Sequence, residues 1–276
     1  MMRQPVVQHG FTLIELVMVI VVMGVIGATL AVFMRAPVDA YMDAGRRAAL
    51  TDLADTAVRR MARDIGSALP NSLRNPSSQC VEFIPTRTGG RYRVEPDAGV
   101  AGSQSAAVLD FSAVDSSFNM LANNAALPTA QQIQVNDVVV VYNLGIVGAD
   151  AYAGDNSAVV TGVTSAAEST ITIVAKQFPL ASATNRFQVV PGSEKIVSFA
   201  CSGGSLLRSS NHAYANSCPT SGATVAVLAT NVSACNFVYN GSDLQRNGLV
   251  QMTIALTDSS GDSISLYHEV HVSNTP

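Results

Sequence analysis

An uninterrupted apolar stretch over residues 11–33 constrains this chain more than any other feature. As an α-helix it would extend about 35 Å, enough to cross the roughly 30 Å hydrocarbon core of a bilayer. The polar residues before it, 1–10, include Arg3 and His9, which favours a cytoplasmic N-terminus. The sequence therefore predicts a single membrane anchor, 11–33, with the remaining chain on the opposite side of the membrane.

The order of small and apolar residues differs from that in a secretory signal peptide. There the small cleavage residues follow the apolar run, so that cleavage frees the mature protein. Here Gly10 precedes the run, in the hexapeptide Gly-Phe-Thr-Leu-Ile-Glu at 10–15. Cleavage between Gly10 and Phe11 would therefore remove only a leader, 1–10, and would keep the anchor.

This hexapeptide resembles the prepilin signature of type IV pilins and type II secretion pseudopilins. The resemblance implies that a prepilin peptidase in the inner membrane cleaves after Gly10 and N-methylates Phe11. It also implies a pilin-like fold, a single-pass protein with its head in the periplasm, and transfer into a filament through an inner-membrane assembly platform. His9 departs from the Lys or Arg that the family usually has beside the glycine.

Glu15 is the single charged residue in the apolar stretch, where a carboxylate costs about 3 kcal/mol. Cleavage would place the free α-amino group of Phe11 one helical turn away, or beside Glu15 on a neighbouring subunit's helix, where the two charges can pair. The resemblance implies the pair between subunits, as a registration contact during assembly. The alternative is that Glu15 lies at the membrane interface and reaches water.

Residues 34–69 are expected to continue the helix with an amphipathic pattern, after a kink or local break at Pro37. Apolar residues recur at spacings of three and four and predict one buried face: Leu50, Leu53, Ala57, Met61, Ile65 and Ala68. The opposite face carries charges at spacings of four: Asp43 with Arg47, Asp55 with Arg59, and Arg60 with Asp64. This face is either solvated or in contact with neighbouring subunits. The helix is expected to end at Leu69-Pro70-Asn71.

From residue 79 onward, short β-branched runs alternate with Gly, Ser, Asn and Asp clusters. Eleven strands are predicted: 80–84, 107–111, 137–143, 157–163, 170–174, 187–190, 195–201, 206–209, 235–239, 249–256 and 263–272. The last two flank 258–262 and predict a hairpin with a loop, whereas 98–130 is expected to be an insertion loop. The fold class is therefore α+β, with a long N-terminal helix packed on a mostly antiparallel β-sheet head, 70–276.

Four cysteines, Cys80, Cys201, Cys218 and Cys235, lie outside the membrane in this topology. An oxidising compartment favours disulfides there. Of the three possible pairings we favour Cys201 with Cys218 and Cys80 with Cys235. A zinc site that recruits His212 would lack a Cys-x-x-Cys pair, and buried free thiols are the remaining alternative.

Composition and motifs argue against several other functions. A net charge of −4 gives no basic surplus for phosphates, so no nucleic-acid partner is expected. His268 and His271 are three apart on a predicted strand and so point to opposite faces, unlike a helical His-Glu-x-x-His zinc site. Asp150, Asp155 and Asn156 match no calcium-loop pattern and are expected to form a solvated loop. We expect no enzymatic activity, cofactor or metal.

Three further stretches resemble the MshO family of minor pilins, which belong to the mannose-sensitive haemagglutinin (MSHA) pilus system. They are Ala-Leu-Pro-Asn-Ser-Leu-Arg at 68–74, Cys-Val-Glu-Phe-Ile-Pro at 80–85 and Val-His-Val-Ser-Asn-Thr-Pro at 270–276. The resemblance implies a low-abundance subunit that joins other minor pilins and the major pilin near the filament tip, primes assembly and supports surface attachment.

The alternatives are a minor pseudopilin of a type II secretion system and a tip module whose head binds a sugar or a surface. The strand 235–239, Cys-Asn-Phe-Val-Tyr, looks similar to the MshO group and more distantly to the J-type minor pseudopilins. Because Glu15 is present, the chain does not resemble the K-type pseudopilin that lacks this carboxylate.

Overall fold

The computed structural model describes residues 10–96, 107–211, 218–219, 224–240 and 247–276. The chain divides into two compact units, Met1–Ala49 and Leu50–Pro276. In its described part the first unit is almost entirely helical. The second unit contains the remaining helical turns and every strand that the described residues form.

The single α-helix of the described residues, α1, spans Leu13–Gly66. It begins where the carbonyl oxygen of Thr12 accepts hydrogen bonds from the N–H groups of Glu15 and Leu16, at 3.1 and 3.2 Å. Its 54 residues include an apolar window long enough to cross a membrane, by length and composition. This helix matches the long N-terminal helix that the sequence predicts.

The backbone at Pro37 remains helical on both sides, so the local break allowed by the sequence analysis is not present. Proline removes one N–H donor and crowds the carbonyl one turn earlier, but the hydrogen bonds of the flanking turns hold the helix together. The helix ends at Gly66, three residues before the predicted end at Leu69.

Fourteen strands are found among the described residues. They are β1 (Arg74–Ser77), β2 (Cys80–Phe83), β3 (Thr88–Arg91), β4 (Asp115–Met120), β5 (Val138–Val141), β6 (Ser157–Thr164), β7 (Ser169–Lys176), β8 (Arg186–Val190), β9 (Val197–Ser202), β10 (Ser205–Ser210), β11 (Thr224–Thr230), β12 (Val232–Asn240), β13 (Asn247–Thr257) and β14 (Ser263–Ser273). Short 3₁₀ helices cover Asn124–Ala126 and Thr129–Gln131. All strand pairs are antiparallel.

The first core lies between the later turns of α1, a five-stranded sheet in the order β1-β2-β9-β10-β11 and a three-stranded sheet β12-β13-β14. The predicted helix face is buried at Leu50, Ala57, Met61 and Ile65. Leu53 is half-buried, and Ala54 and Val58, which the pattern missed, also belong to the core. Hydrophobic burial of this stripe explains why the helix packs on the sheets.

A second sheet system, in the order β3-β8-β5-β6-β7-β4, is inserted in the chain between β2 and β9. Backbone hydrogen bonds join its two edge strands, β3 and β4. The N–H of Arg93 donates to the carbonyl oxygen of Asn119, and the N–H of Leu121 donates to the carbonyl oxygen of Arg91, both at 2.9 Å. The six strands therefore close into a small antiparallel barrel with its own core. At its centre the rings of Phe118 and Phe187 are 5.2 Å apart in an edge-to-face arrangement.

Ten of the eleven predicted strands are present with small shifts of their ends, and the 258–262 loop joins β13 and β14 as a hairpin. Residues 107–111 form no strand. The predicted insertion loop 98–130 instead contains β4 and both 3₁₀ helices, while 97–106 lie outside the described residues. The pattern also missed β1, β3 and β11.

Strand β3 shows why a local sequence pattern can miss a strand. Its two glycines weaken any sequence signal for a strand, yet the barrel requires a small residue here. A Cβ atom at Gly90 would lie 2.9 Å from the sulfur of Met120 and 2.9 Å from the ring of Phe187. This glycine is therefore explained by a tertiary contact that no local pattern reveals.

Candidate functional site

The predicted cleavage site lies just before the helix. Gly10, Phe11 and Thr12 have no regular secondary structure, and α1 begins at Leu13. Phe11 is 85% exposed, and no atom beyond Gly10 and its two chain neighbours lies within 4 Å of the position where a Cβ would stand on Gly10. The bond between Gly10 and Phe11 is thus in non-helical, accessible backbone, whereas the leader residues 1–9, with Arg3 and His9, lie outside the described residues.

Glu15 lies in the first turn of α1 and is exposed. Its N–H faces the hydroxyl oxygen of Thr12 at 3.4 Å, which helps to satisfy the free donors of the helix start. The partial positive charge of a helix N-terminus favours a carboxylate at this position. The new amino group that cleavage would create at Phe11 is one helical turn from this carboxylate.

The apolar side chains of 11–33 are exposed along the helix, from Phe11 to Phe33, which is 76% exposed. In water such a surface would be unfavourable by roughly 25 cal/mol for each Å². This part of α1 therefore requires either lipid or other apolar helices around it.

The charged residues of the helix differ in their partners. Asp55 binds Arg59 at 2.6 Å, as predicted. Asp43 binds Arg46. The predicted pair of Asp64 with Arg60 is wrong.

Asp64 instead binds Arg208 of β10 at 2.8 Å. Arg208 also holds both carboxylate oxygens of Glu194 at 3.0 Å. A planar guanidinium can donate to two carboxylates. Arg208 is half-buried, whereas Arg60, one turn earlier on the helix, is exposed, so Arg208 is the better partner for Asp64. Asp64 therefore joins the helix to the five-stranded sheet.

The four cysteines form two disulfides, Cys80 with Cys218 and Cys201 with Cys235, with Cα–Cα distances of 5.9 and 6.5 Å. The favoured pairing, Cys201 with Cys218 and Cys80 with Cys235, is therefore wrong. The alternatives of zinc and of free thiols do not apply to these residues, since all four are bonded, and His212 lies outside the described residues.

The faces of the five-stranded sheet explain the pairing. Cys80 lies opposite Ala200 across the β2–β9 ladder, so Cys201 is one residue out of register. Successive residues of a strand point to opposite faces, so Cys80 faces away from the helix, whereas Cys201 packs on the helix side with Cys235. Each cysteine needs a partner on its own side of the sheet.

Cys218 therefore lies on the face of the sheet away from the helix, which we name the back face. Its sulfur is 3.7 Å from the carbonyl oxygen of Val81, and the next residue, Pro219, accepts a hydrogen bond from the hydroxyl of Ser209 at 2.8 Å. The disulfide thus holds Cys218 and Pro219 against the back face.

Glu82, which the sequence analysis did not single out, points to the same back face and is fully buried. Burial raises the pKa of Glu82 to about 7, although the charge of Arg74 and the hydroxyl of Tyr152 oppose the rise. Arg74 stacks 3.7 Å from the ring centre of Tyr152 and binds Asp150 at 2.9 Å. The one sequence signal was a charged residue inside the short apolar strand Cys-Val-Glu-Phe.

The loop after β5 is not solvated as expected. Besides the Asp150 pair with Arg74, Asp155 accepts the N–H of Gly148 at 2.9 Å, and Asn156 is buried. These protein partners hold the loop against the head. Among the described residues no group of three or more His, Cys, Asp or Glu side chains could hold a metal ion.

His268 and His271 lie on β14 and point to opposite faces of the three-stranded sheet, as predicted. His268 is half-buried, whereas His271 is exposed. The two imidazoles therefore do not converge on one site.

The family described as the Prokaryotic N-terminal methylation motif matches residues 7–31. The matched segment includes Gly10, Phe11 and Glu15. No curated protein and no solved structure matches the chain. The motif implies processing by a prepilin peptidase and use of the pilin assembly machinery, and with the apolar helix it is consistent with membrane anchoring. The chain is thus pilin-like: it carries the N-terminal signal of the type IV pilin and pseudopilin class on an α+β fold.

Proposed function

We propose that this chain is a minor pilin of an MSHA-like type IV pilus, which helps to initiate and assemble the filament tip and supports surface attachment. The observation that carries the proposal is the methylation motif at 7–31, with Glu15 one turn after Phe11 on an apolar helix. Its partners are then prepilin peptidase, other minor pilins, the major pilin and the inner-membrane assembly platform. The proposal includes no enzymatic reaction and no cofactor.

Helix packing drives assembly in this proposal. The exposed apolar side chains of 11–33 exchange lipid for the helices of neighbouring subunits. The carboxylate of Glu15 then pairs with a methylated amino group at Phe11 of a neighbour, since an uncompensated charge in that apolar environment would cost several kcal/mol. This pairing sets the axial register of each new subunit.

Blocking cleavage tests the first step. In cells that express prepilin peptidase, we expect Gly10→Val to leave the leader on the chain, because the peptidase must accommodate the residue before the scissile bond. Intact mass of the membrane protein measures this directly. Gly24→Val is the matched control, since both glycines have open space where a Cβ would stand. If the Gly10 variant were cleaved as completely as the control, the processing site would be elsewhere.

Glu15→Gln tests the second step. We expect this variant to be cleaved normally but to enter filaments at least about tenfold less, because breaking a buried ion pair costs more than 1.4 kcal/mol. Quantitative mass spectrometry of sheared pili, relative to the membrane pool, gives the ratio. Glu95→Gln, at an exposed glutamate of the head, is the control. Equal incorporation of both variants would remove Glu15 from assembly.

The same motif also marks pseudopilins, which makes a secretion role the second candidate. A deletion strain separates the two roles. Loss of surface pili with normal secretion of exoproteins supports the minor pilin, whereas normal pili with blocked secretion supports the pseudopilin.

A further inference from the structure

A cleft of about 300 Å³ opens on the outer surface of the barrel, beside Ile84, which follows β2, and beside the segment before β9. Alternate residues of β5 face it, since Val139 and Val141 belong to the barrel core. None of the residues that line the cleft belongs to α1. Most of its lining is aliphatic, with Tyr152, Ser157 and Lys195 as the exceptions; the larger aliphatic side chains are Ile84, Val138, Val140, Val159, Val190 and Ile196.

The walls are rigid because they stand on hydrogen-bonded strands. β5 is paired on both sides, with β6 and β8, so its backbone polar groups are already satisfied. β-branched side chains have restricted rotamers, and most of the wall consists of valine and isoleucine. The cleft is therefore formed before any ligand arrives, and most of its surface suits an apolar chain.

Lys195 is the one charged residue of the lining, and it is exposed. Glu194, its neighbour in the chain, is held by Arg208 at 3.0 Å, and Asp137, which precedes β5, is held by Arg87 at 3.0 Å. Within the described part of the chain no carboxylate pairs with Lys195. An uncompensated ammonium group thus stands at an aliphatic cleft.

We propose that this cleft binds a free aliphatic carboxylate, with its chain against the valine and isoleucine walls and its carboxylate paired with the ammonium group of Lys195. A cavity of about 150 Å³ holds one benzene, so twice that volume fits a chain of about eight to ten carbons. A phosphate group would call for several donors, but the cleft supplies one cation. This inference is independent of the pilus role, because it uses only the head.

The two lysines of the chain, Lys176 and Lys195, allow a direct test. Full-length protein in lipid nanodiscs is reductively methylated with ¹³C and titrated with octanoate, octanol or octylammonium. We expect octanoate to shift the methyl signal of Lys195 with saturation and to leave Lys176 unchanged, since the latter donates to the carbonyl oxygen of Gly154 at 2.9 Å. Octanol and octylammonium should bind at least tenfold more weakly.

Variants test the charge of Lys195 and the aliphatic walls of the cleft separately. Calorimetry measures the affinity of each variant for octanoate and octanol. Lys195→Met should weaken octanoate binding about tenfold and leave octanol binding unchanged. Lys195→Arg should keep the wild-type affinity for octanoate, and so should the control, Lys176→Met. Ala151→Leu, which fills the cleft, should abolish binding of both ligands without lowering the melting temperature appreciably. An unsaturable shift, an equal shift at Lys176, or wild-type octanoate affinity in Lys195→Met would each overturn the proposal.

Discussion

Replacing both Cys80 and Cys218 with serine is expected to lower the free energy of unfolding by about 5 kcal/mol. The same double replacement at Cys201 and Cys235 should lower it by about 4 kcal/mol. A disulfide restricts the unfolded chain more as its loop lengthens, and the sequence separations are 138 and 34. The first disulfide also holds Cys218 and Pro219 on the back face, so its loss should be the larger of the two.

Denaturant unfolding of the full-length protein in micelles, without reductant, measures both losses. The two double variants act as controls for each other, since each removes one disulfide and leaves no free thiol. Losses in the reverse order would show that the Cys80–Cys218 bond does not restrain the longer loop.

The pairing itself is testable by mass spectrometry of unreduced peptides. No Lys or Arg lies between Cys218 and Cys235, so trypsin would leave both in one peptide. Thermolysin cuts before the aliphatic residues of β11 and separates them. A peptide that links Cys201 to Cys218 would contradict the structure.

The protein should lose about 2 to 3 kcal/mol of stability between pH 5 and pH 8 through Glu82 alone. The pKa of this carboxyl rises from 4.5 to about 7 on folding because of burial, which corresponds to about 3 kcal/mol in total. The folded state then binds more protons than the unfolded state over this range. The stabilisation is complete below pH 4.5 and is lost as the pH rises through 7.

Glu82→Gln should remove most of this slope and should be more stable than the wild type at pH 8, because the neutral amide costs less to bury than a carboxylate. Unfolding curves at pH 5 and pH 8 give the comparison. Glu168→Gln is the control: the hydrogen bond from Arg93 lowers the pKa of Glu168, so its contribution changes only below pH 4.5. If Glu82→Gln kept the wild-type slope, the Glu82 carboxyl would titrate normally in the folded protein.

Features that depend on local periodicity were predictable. The apolar run 11–33 alone predicts the helix, and the spacing of Leu50, Ala57, Met61 and Ile65 predicts the face that packs on the sheets. The hairpin around 258–262 follows from two alternating strands and a polar loop. In each case the relevant residues are within a few turns or a few strand positions of one another, so short-range pattern and structure agree.

The candidate assembly site belongs to this predictable part, because Gly10, Phe11 and Glu15 form one short motif at the start of one helix. The role of Lys195 was not predictable in the same way. It depends on Ile84 and on residues of β5, β6 and β8 that the fold brings to one cleft, and a single lysine in the sequence carries no such signal.

Composition and pattern by themselves predict the long apolar helix, the motif at its start, its amphipathic continuation and a β-rich head. The cysteine partners, the buried Glu82 and the closure of the inserted strands into a barrel were decided by tertiary structure. Each depends on the register between strands distant in sequence, as when Cys80 lies beside Ala200 rather than Cys201. A shift of one residue reverses the face of every side chain, and only the packed sheets determine that register.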